Sequence, residues 1–251
     1  MDIFLIIVAA VVIGVPLVIY IYKQAEAAKE RARIRHAGII SFADQRGFTF
    51  EPGHDDSHDE RYAHFEVFRR GFDRYAYNTM SGAVDLGKIQ AQCRTGDFTY
   101  KTRETYTTTD SKGRTTTHTR IVKHDFSYFI VELPFERMPD MLVRREGIFD
   151  KIAAAFGKND IDFESAEFSR KYFVQCDQRK FAYDIINQRM IEFLLKTKPG
   201  LIDMENARIC LTDGMTKWPH ERFDESLEWT RSFVGHWPDF VIKDLEEGRI
   251  V

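Results

Sequence analysis

Ile3 to Tyr22, IFLIIVAAVVIGVPLVIYIY, carries no charged side chain between Asp2 and Lys23. Its twenty residues at ~1.5 Å rise make a helix of roughly 30 Å, the thickness of a bilayer's hydrocarbon layer. The run is apolar on every helical face, where a helix on a soluble core keeps a polar side. It also lacks the basic start and small-residue cleavage site of a signal peptide. A transmembrane anchor over residues 1–22, opening at Ile3, is the expectation. Gly14 and Pro16 lie inside it, and the proline gives up one backbone hydrogen bond and bends the helix, which membrane spans tolerate. Tyr20 and Tyr22 fall at the headgroup layer, with Lys23 just beyond.

Basic residues flank the run on one side only: Lys23, Lys29, Arg31, Arg33 and Arg35. The positive-inside rule places the amino terminus outside, the chain crossing once and the rest lying in the cytoplasm. Lys29, Arg31, Arg33 and Arg35 are also placed to touch anionic headgroups. Cys93, Cys176 and Cys210 show no paired spacing and fit reduced, buried thiols.

Beyond the anchor, 30% charged residues and 21 phenylalanines describe a folded domain. A net charge of -3 leaves no overall basic surface, so nucleic acid is excluded as a partner. Residues 23–46 read as a juxtamembrane helix with Glu26 to Lys29 and Glu30 to Arg33 at helical spacing, ended by Gly47. Ile34, Ile39, Ile40 and Phe42 give its later turns an apolar side.

Residues 47–135 read as a β-rich domain. Phe48 to Pro52 is a short strand, followed by a polar loop, GHDDSHDER. His54, Asp55, His58 and Asp59 in that loop are residue types that bind divalent metals, though a solvated loop is the ordinary home of such a run. From His64 to Pro134 the chain is dense in Phe, Tyr, Thr and Val with period-two alternation, HFEVFRRG being the first strand expected there. Its clearest hairpin joins Arg103–Thr109 to Thr115–Val122 through residues 110–114, with Tyr106, Asp110, Lys112, Gly113, Arg114 and His118 as candidate interaction residues. Both arms are rich in threonine and poor in large apolar residues, so the hairpin is expected to protrude, either as a surface ribbon or as an edge for strand addition.

Residues 136–251 read as an α+β part packed on the β-rich one. The expected elements are a helix in RREGIFDKIAAAFG, short strands at DIDFES and RKYFVQCD, a helix over Arg179–Lys196, a hairpin in LIDMENARICLTDG, and a last helix over Phe223–Leu245 interrupted near Pro238. The fold class is therefore α+β: a transmembrane helix and helical stalk, an antiparallel β-rich part with a protruding hairpin, and a helix/strand-alternating C-terminal part.

The spacing around Phe163, Glu164, Ser165, Phe168, Asp177, Ala182 and Met190, with the FxVF...G and YFIVELP segments, resembles a group of bacterial membrane-anchored proteins classed as a domain of unknown function. The resemblance covers about residues 42–195. It implies a bacterial chain, hence a cytoplasmic-membrane location, and a membrane-tethered α+β domain, and carries no catalytic residue.

No GxSxG, HExxH, GxxxxGK[ST], GxGxxG after a strand or CxxC is present. A nucleophilic pair such as Cys93 with His124 would have to form in space. No cofactor is implied. The leading expectation is a non-enzymatic membrane protein whose domain binds other proteins of a membrane complex. The alternatives are a tethered hydrolase or metal-dependent enzyme around His54 and His58, and a lipid or small-molecule sensor using the basic stalk.

Overall fold

Alternating apolar and polar residues through the middle of the chain close into one antiparallel sheet. The structure is a computed structural model that describes residues 3–147, 160–213 and 216–250, with side chains from Val15 onward. The strands are β1 (Thr49–Glu51), β2 (Phe72–Asp85), β3 (Gln90–Thr109), β4 (Thr115–Glu132), β5 (Met141–Arg145), β6 (Tyr172–Cys176), β7 (Leu201–Glu205) and β8 (Arg208–Thr212). They run in the order β1-β2-β3-β4-β8-β7-β5-β6, so the 47–135 and 136–251 parts join edge to edge through β4 and β8 within one sheet.

The helices are α1 (Ile3–Arg46), α2 (His58–Arg61), α3 (Ala166–Lys171), α4 (Arg179–Ile185), α5 (Gln188–Thr197), α6 (Glu221–Gly235) and α7 (Asp239–Glu246). One sheet face meets the end of α1 and the C-terminal helices through a core that includes Ile39, Phe42, Phe129, Val131, Phe181, Met190, Phe223, Phe233 and Trp237. The other face is covered by residues 58–68, whose Tyr62, Phe65, Val67 and Phe68 pack on Phe98, Phe126, Tyr128 and Ile130. Burying such aromatics removes roughly 150–250 Å² each from water.

α1 is exposed from Val15 to Ile34, and from Arg35 onward it docks, with Ile39 and Ala43 fully buried. Gly38 sets how closely it approaches: a Cβ there would stand 2.0 Å from the His220 ring. Arg46 at its end pairs with Asp224 and Glu228 of α6. The helix stops where expected, with Gly47 at φ +65°.

Several expectations change. HFEVFRRG forms no strand: Glu66–Phe68 is a 3₁₀ turn that presses apolar side chains onto the sheet. Arg179–Lys196 is two helices, because Asn187 caps α5 with its side-chain oxygen on the Arg189 and Met190 amides. DIDFES pairs in no strand, although the Ile161 amide bonds Val174 at the sheet edge. The helix expected around Ile148 to Gly157 lies outside the described residues, and Arg144 and Arg145 belong to β5. Among the described residues no helix is long and apolar enough to cross a membrane. The side chains of Ile3 and Gly14 lie outside that description, so the span is carried by the sequence.

Candidate functional site

Asp97, fully buried on β3, gathers the helix and both central strands. Arg35 reaches from α1 to grip it bidentately at 2.7 and 2.8 Å and also donates to the Trp218 carbonyl at 2.6 Å. Ser127 of β4 donates to Asp97 at 2.6 Å and Asn78 at 3.0 Å. A buried carboxylate held by a guanidinium fork and neutral donors is fully compensated. Arg35 was expected at the membrane surface, but its charge is spent inside the domain, and Lys29, Arg31 and Arg33 are the ones left exposed. The carboxylate therefore ties the α1 stalk to the strands that continue into the hairpin.

Those strands run well past their neighbours. β2 leaves β3 at Lys101 and β8 leaves β4 at Tyr128, yet β3 and β4 stay paired through eight further rungs, Thr102↔Val122 to Thr109↔Thr115. That ribbon is about 25 Å long at roughly 3.4 Å per residue. Its residues are almost all exposed, so its own ladder and cross-strand pairs hold it together. Tyr106 stacks on His118 at 5.2 Å, Arg120 lies 5.7 Å over the Tyr106 ring and binds Glu104 at 2.8 Å, and Thr108 meets His118 at 2.9 Å. At the tip, Asp110 accepts from the Lys112 and Arg114 amides at 2.9 Å each and from the Arg114 side chain at 2.8 Å. Those bonds to the ionised form, the Arg114 amide first, hold the Asp110 carboxyl below its ordinary range. Gly113 takes φ +77° to close the loop. Tyr106, Asp110, Lys112, Gly113, Arg114 and His118 thus share one outer arm.

The metal-type residues of the expected loop do not converge. His58 is fully buried among Tyr62, Phe68, Phe98 and Tyr128 at 4.6–5.6 Å. Desolvation first, then Arg94, pushes its pKa down to about 3, so it is neutral. His54 stacks on Tyr75 at 3.9 Å, and Asp59 binds Arg74 at 2.6 Å. Asp55 binds Arg94 at 2.8 Å and Arg61 at 3.2 Å. Among the described residues no group of three or more such side chains could hold a metal ion. Cys93 and His124 sit opposite Val131 and Tyr100, on separate rungs along the ladder, and do not meet.

A polar cleft of about 510 Å³ opens beside Asp55, lined by residues such as Glu51, Arg61, Gln92, Arg94 and Glu132. Its charged groups are largely satisfied within it: Arg94 by Asp55, and Glu132 by Arg208 at 3.3 Å and the Tyr62 hydroxyl at 3.1 Å. Along the same row of strand ends, where Glu132, Arg208 and Glu205 lie on adjacent strands, burial and neighbouring Asp140 raise Glu205 to about 7, and burial also raises Asp203 and Asp140. Sequence periodicity had no access to the Arg35–Asp97 clasp or to this cleft, since their members come from distant segments. The one visible signal was Asp97 itself, a carboxylate at the same strand parity as the core residue Cys93.

No family model and no curated protein matches the chain. A solved structure, that of the mycobacterial trehalose monomycolate transport factor A, TtfA, has a similar fold, with a TM-score of 0.51 and 13% sequence identity. The match covers 82% of this chain and 97% of that one. At that identity the likeness concerns the fold alone.

Proposed function

We propose that the chain is a non-enzymatic, single-pass protein of the bacterial inner membrane. Its cytoplasmic α+β domain holds the β3–β4 ribbon out for another protein of a membrane complex, as an accessory or assembly subunit. The observation that carries this reading is the ribbon, an arm with no core of its own and, among the described residues, no neighbouring strand. A feature of that kind contributes little to folding, so contact with another molecule is the role left for it.

The anchor rests on the uncharged Ile3–Tyr22 run and the basic residues after it. The exposed stalk from Lys23 to Ile34 holds the domain roughly 18 Å beyond the headgroup layer at ~1.5 Å per residue. TtfA, whose fold is similar, is named as a transport factor, which is compatible with an accessory role.

Photocrosslinkers placed singly at Tyr106, Lys112 and Thr119, and at Tyr183 on the body, test the reading in intact membranes. The expected result is a heteromeric adduct from the arm positions and none from Tyr183. Monomer alone at every position, in membranes where known complexes crosslink, would overturn it.

A further inference from the structure

This inference rests on the proposed docking role and assigns its mode. The hydrogen-bonding parity of the ribbon is fixed at three places. The Asp110 amide bonds the Arg114 carbonyl, so even-numbered residues face each other across the ladder. The Ser127 amide bonds Thr216 and the Leu133 amide bonds Ala207, so odd-numbered residues of β4 turn their backbone groups outward. Past Ser127 that row continues through Asp125, Lys123, Ile121, Thr119, Thr117 and Thr115, where, among the described residues, no strand pairs with β4 on its outer side.

The two edges of the ribbon differ in charge. Residues 114–123 of the β4 side, RTTTHTRIVK, contain three cations and no carboxylate. The β3 side over the same rungs, residues 101–110, KTRETYTTTD, balances Lys101 and Arg103 against Glu104 and Asp110. The cations are exposed, Arg120 by 65%, Arg114 by 76% and Lys123 by 51% of the side chain, so their pairs with Glu104, Asp110 and Asp125 leave them facing solvent. Ile121 adds an apolar side chain that is 61% exposed.

We propose that the outer edge of β4, Thr115 to Lys123, accepts an extended acidic segment of a partner protein as an added strand, in line with β8. Backbone groups of five outward residues supply the pairing, β-branched threonines favour the extended form, and the cations select carboxylates on the incoming strand. A second copy of this chain is the poorer occupant. Two-fold pairing of this edge would set one carboxylate-free strand against another.

The probe is a synthetic peptide of alternating Glu and Val, with the Lys/Val peptide as its counterpart, added to the full chain in detergent micelles and read by amide hydrogen exchange. The Glu peptide is expected to slow exchange at Thr117, Thr119 and Ile121 at least tenfold while Thr105 and Thr107 stay unchanged. Thr119→Pro removes one outward amide and spares the inner ladder, so it should abolish the effect, whereas Thr105→Pro on the other edge should retain it. Equal protection of both edges, equal protection by the Lys peptide, no protection, or protection that grows with protein concentration alone would overturn the assignment. If arm crosslinks in membranes persist while these amides stay unprotected, the docking role survives and the edge assignment fails. If neither is seen, both fail.

Discussion

β3 and β4 behave as two different structures joined end to end. In the inner half Phe98, Phe126 and Tyr128 are fully buried and Asp97 takes charge-assisted bonds from α1. In the outer half the same two strands keep a perfect register with almost every side chain in water. The ladder is common to both, so the difference lies in what covers it. Register can persist without a core, while stability comes from the covered half.

The largest test of that contrast is truncation of one aromatic in each half. Phe98→Ala should cost about 3–5 kcal/mol of unfolding free energy. Tyr106→Ala should cost less than about 1 kcal/mol, the scale of one cross-strand pair. Chemical denaturation reads both, and similar losses would erase the distinction.

Next comes the clasp. Arg35→Ala leaves buried Asp97 with the Lys217 ammonium, 3.9 Å away, as its remaining cation and should cost about 3 kcal/mol. It should also raise the mobility of α1 relative to the sheet, measured by spin labels at Ile34 and Thr102. A loss under about 0.5 kcal/mol, the level of an ordinary surface change, would mean that the pair is not structural.

The pH dependence that His58 contributes probes the inner half. His58 has a folded pKa of about 3, below its ordinary 6.5. Stability from keeping it neutral is complete above pH 6.5 and falls as pH drops from there toward 3, by about 1.4 kcal/mol per pH unit at most. His58→Phe should flatten that limb of the stability profile, and an unchanged slope would count against it. The smallest effect belongs to the arm. Replacing residues 105–119 by Asn-Gly between Glu104 and Arg120 should shift stability by less than about 1 kcal/mol by calorimetry.

The α+β class, the stalk ending at Gly47, the β7–β8 hairpin and the ribbon with its Asp110–Arg114 turn were legible from periodicity and turn residues. The ribbon was legible because its threonines alternate without an apolar face. The 58–68 segment was not. Its aromatic density imitates a strand, and only the sheet beneath shows that Phe65 and Phe68 form a cover. His58 misled for the same reason: a histidine among Asp and Glu reads as solvated until tertiary packing buries it. Asn187 was missed because the apolar stripe of α4 and α5 runs in phase across the break. Arg35 was grouped with the membrane-facing cations because nothing local separates it from Arg31 and Arg33.

Amide exchange of the full chain, measured in its native membrane and again after purification in micelles, tests the role of the arm most directly. Thr117, Thr119 and Ile121 should exchange at least tenfold more slowly in the membrane, with Thr105 and Thr107 unaltered. Identical rates in the two settings would contradict an arm that works by holding a partner.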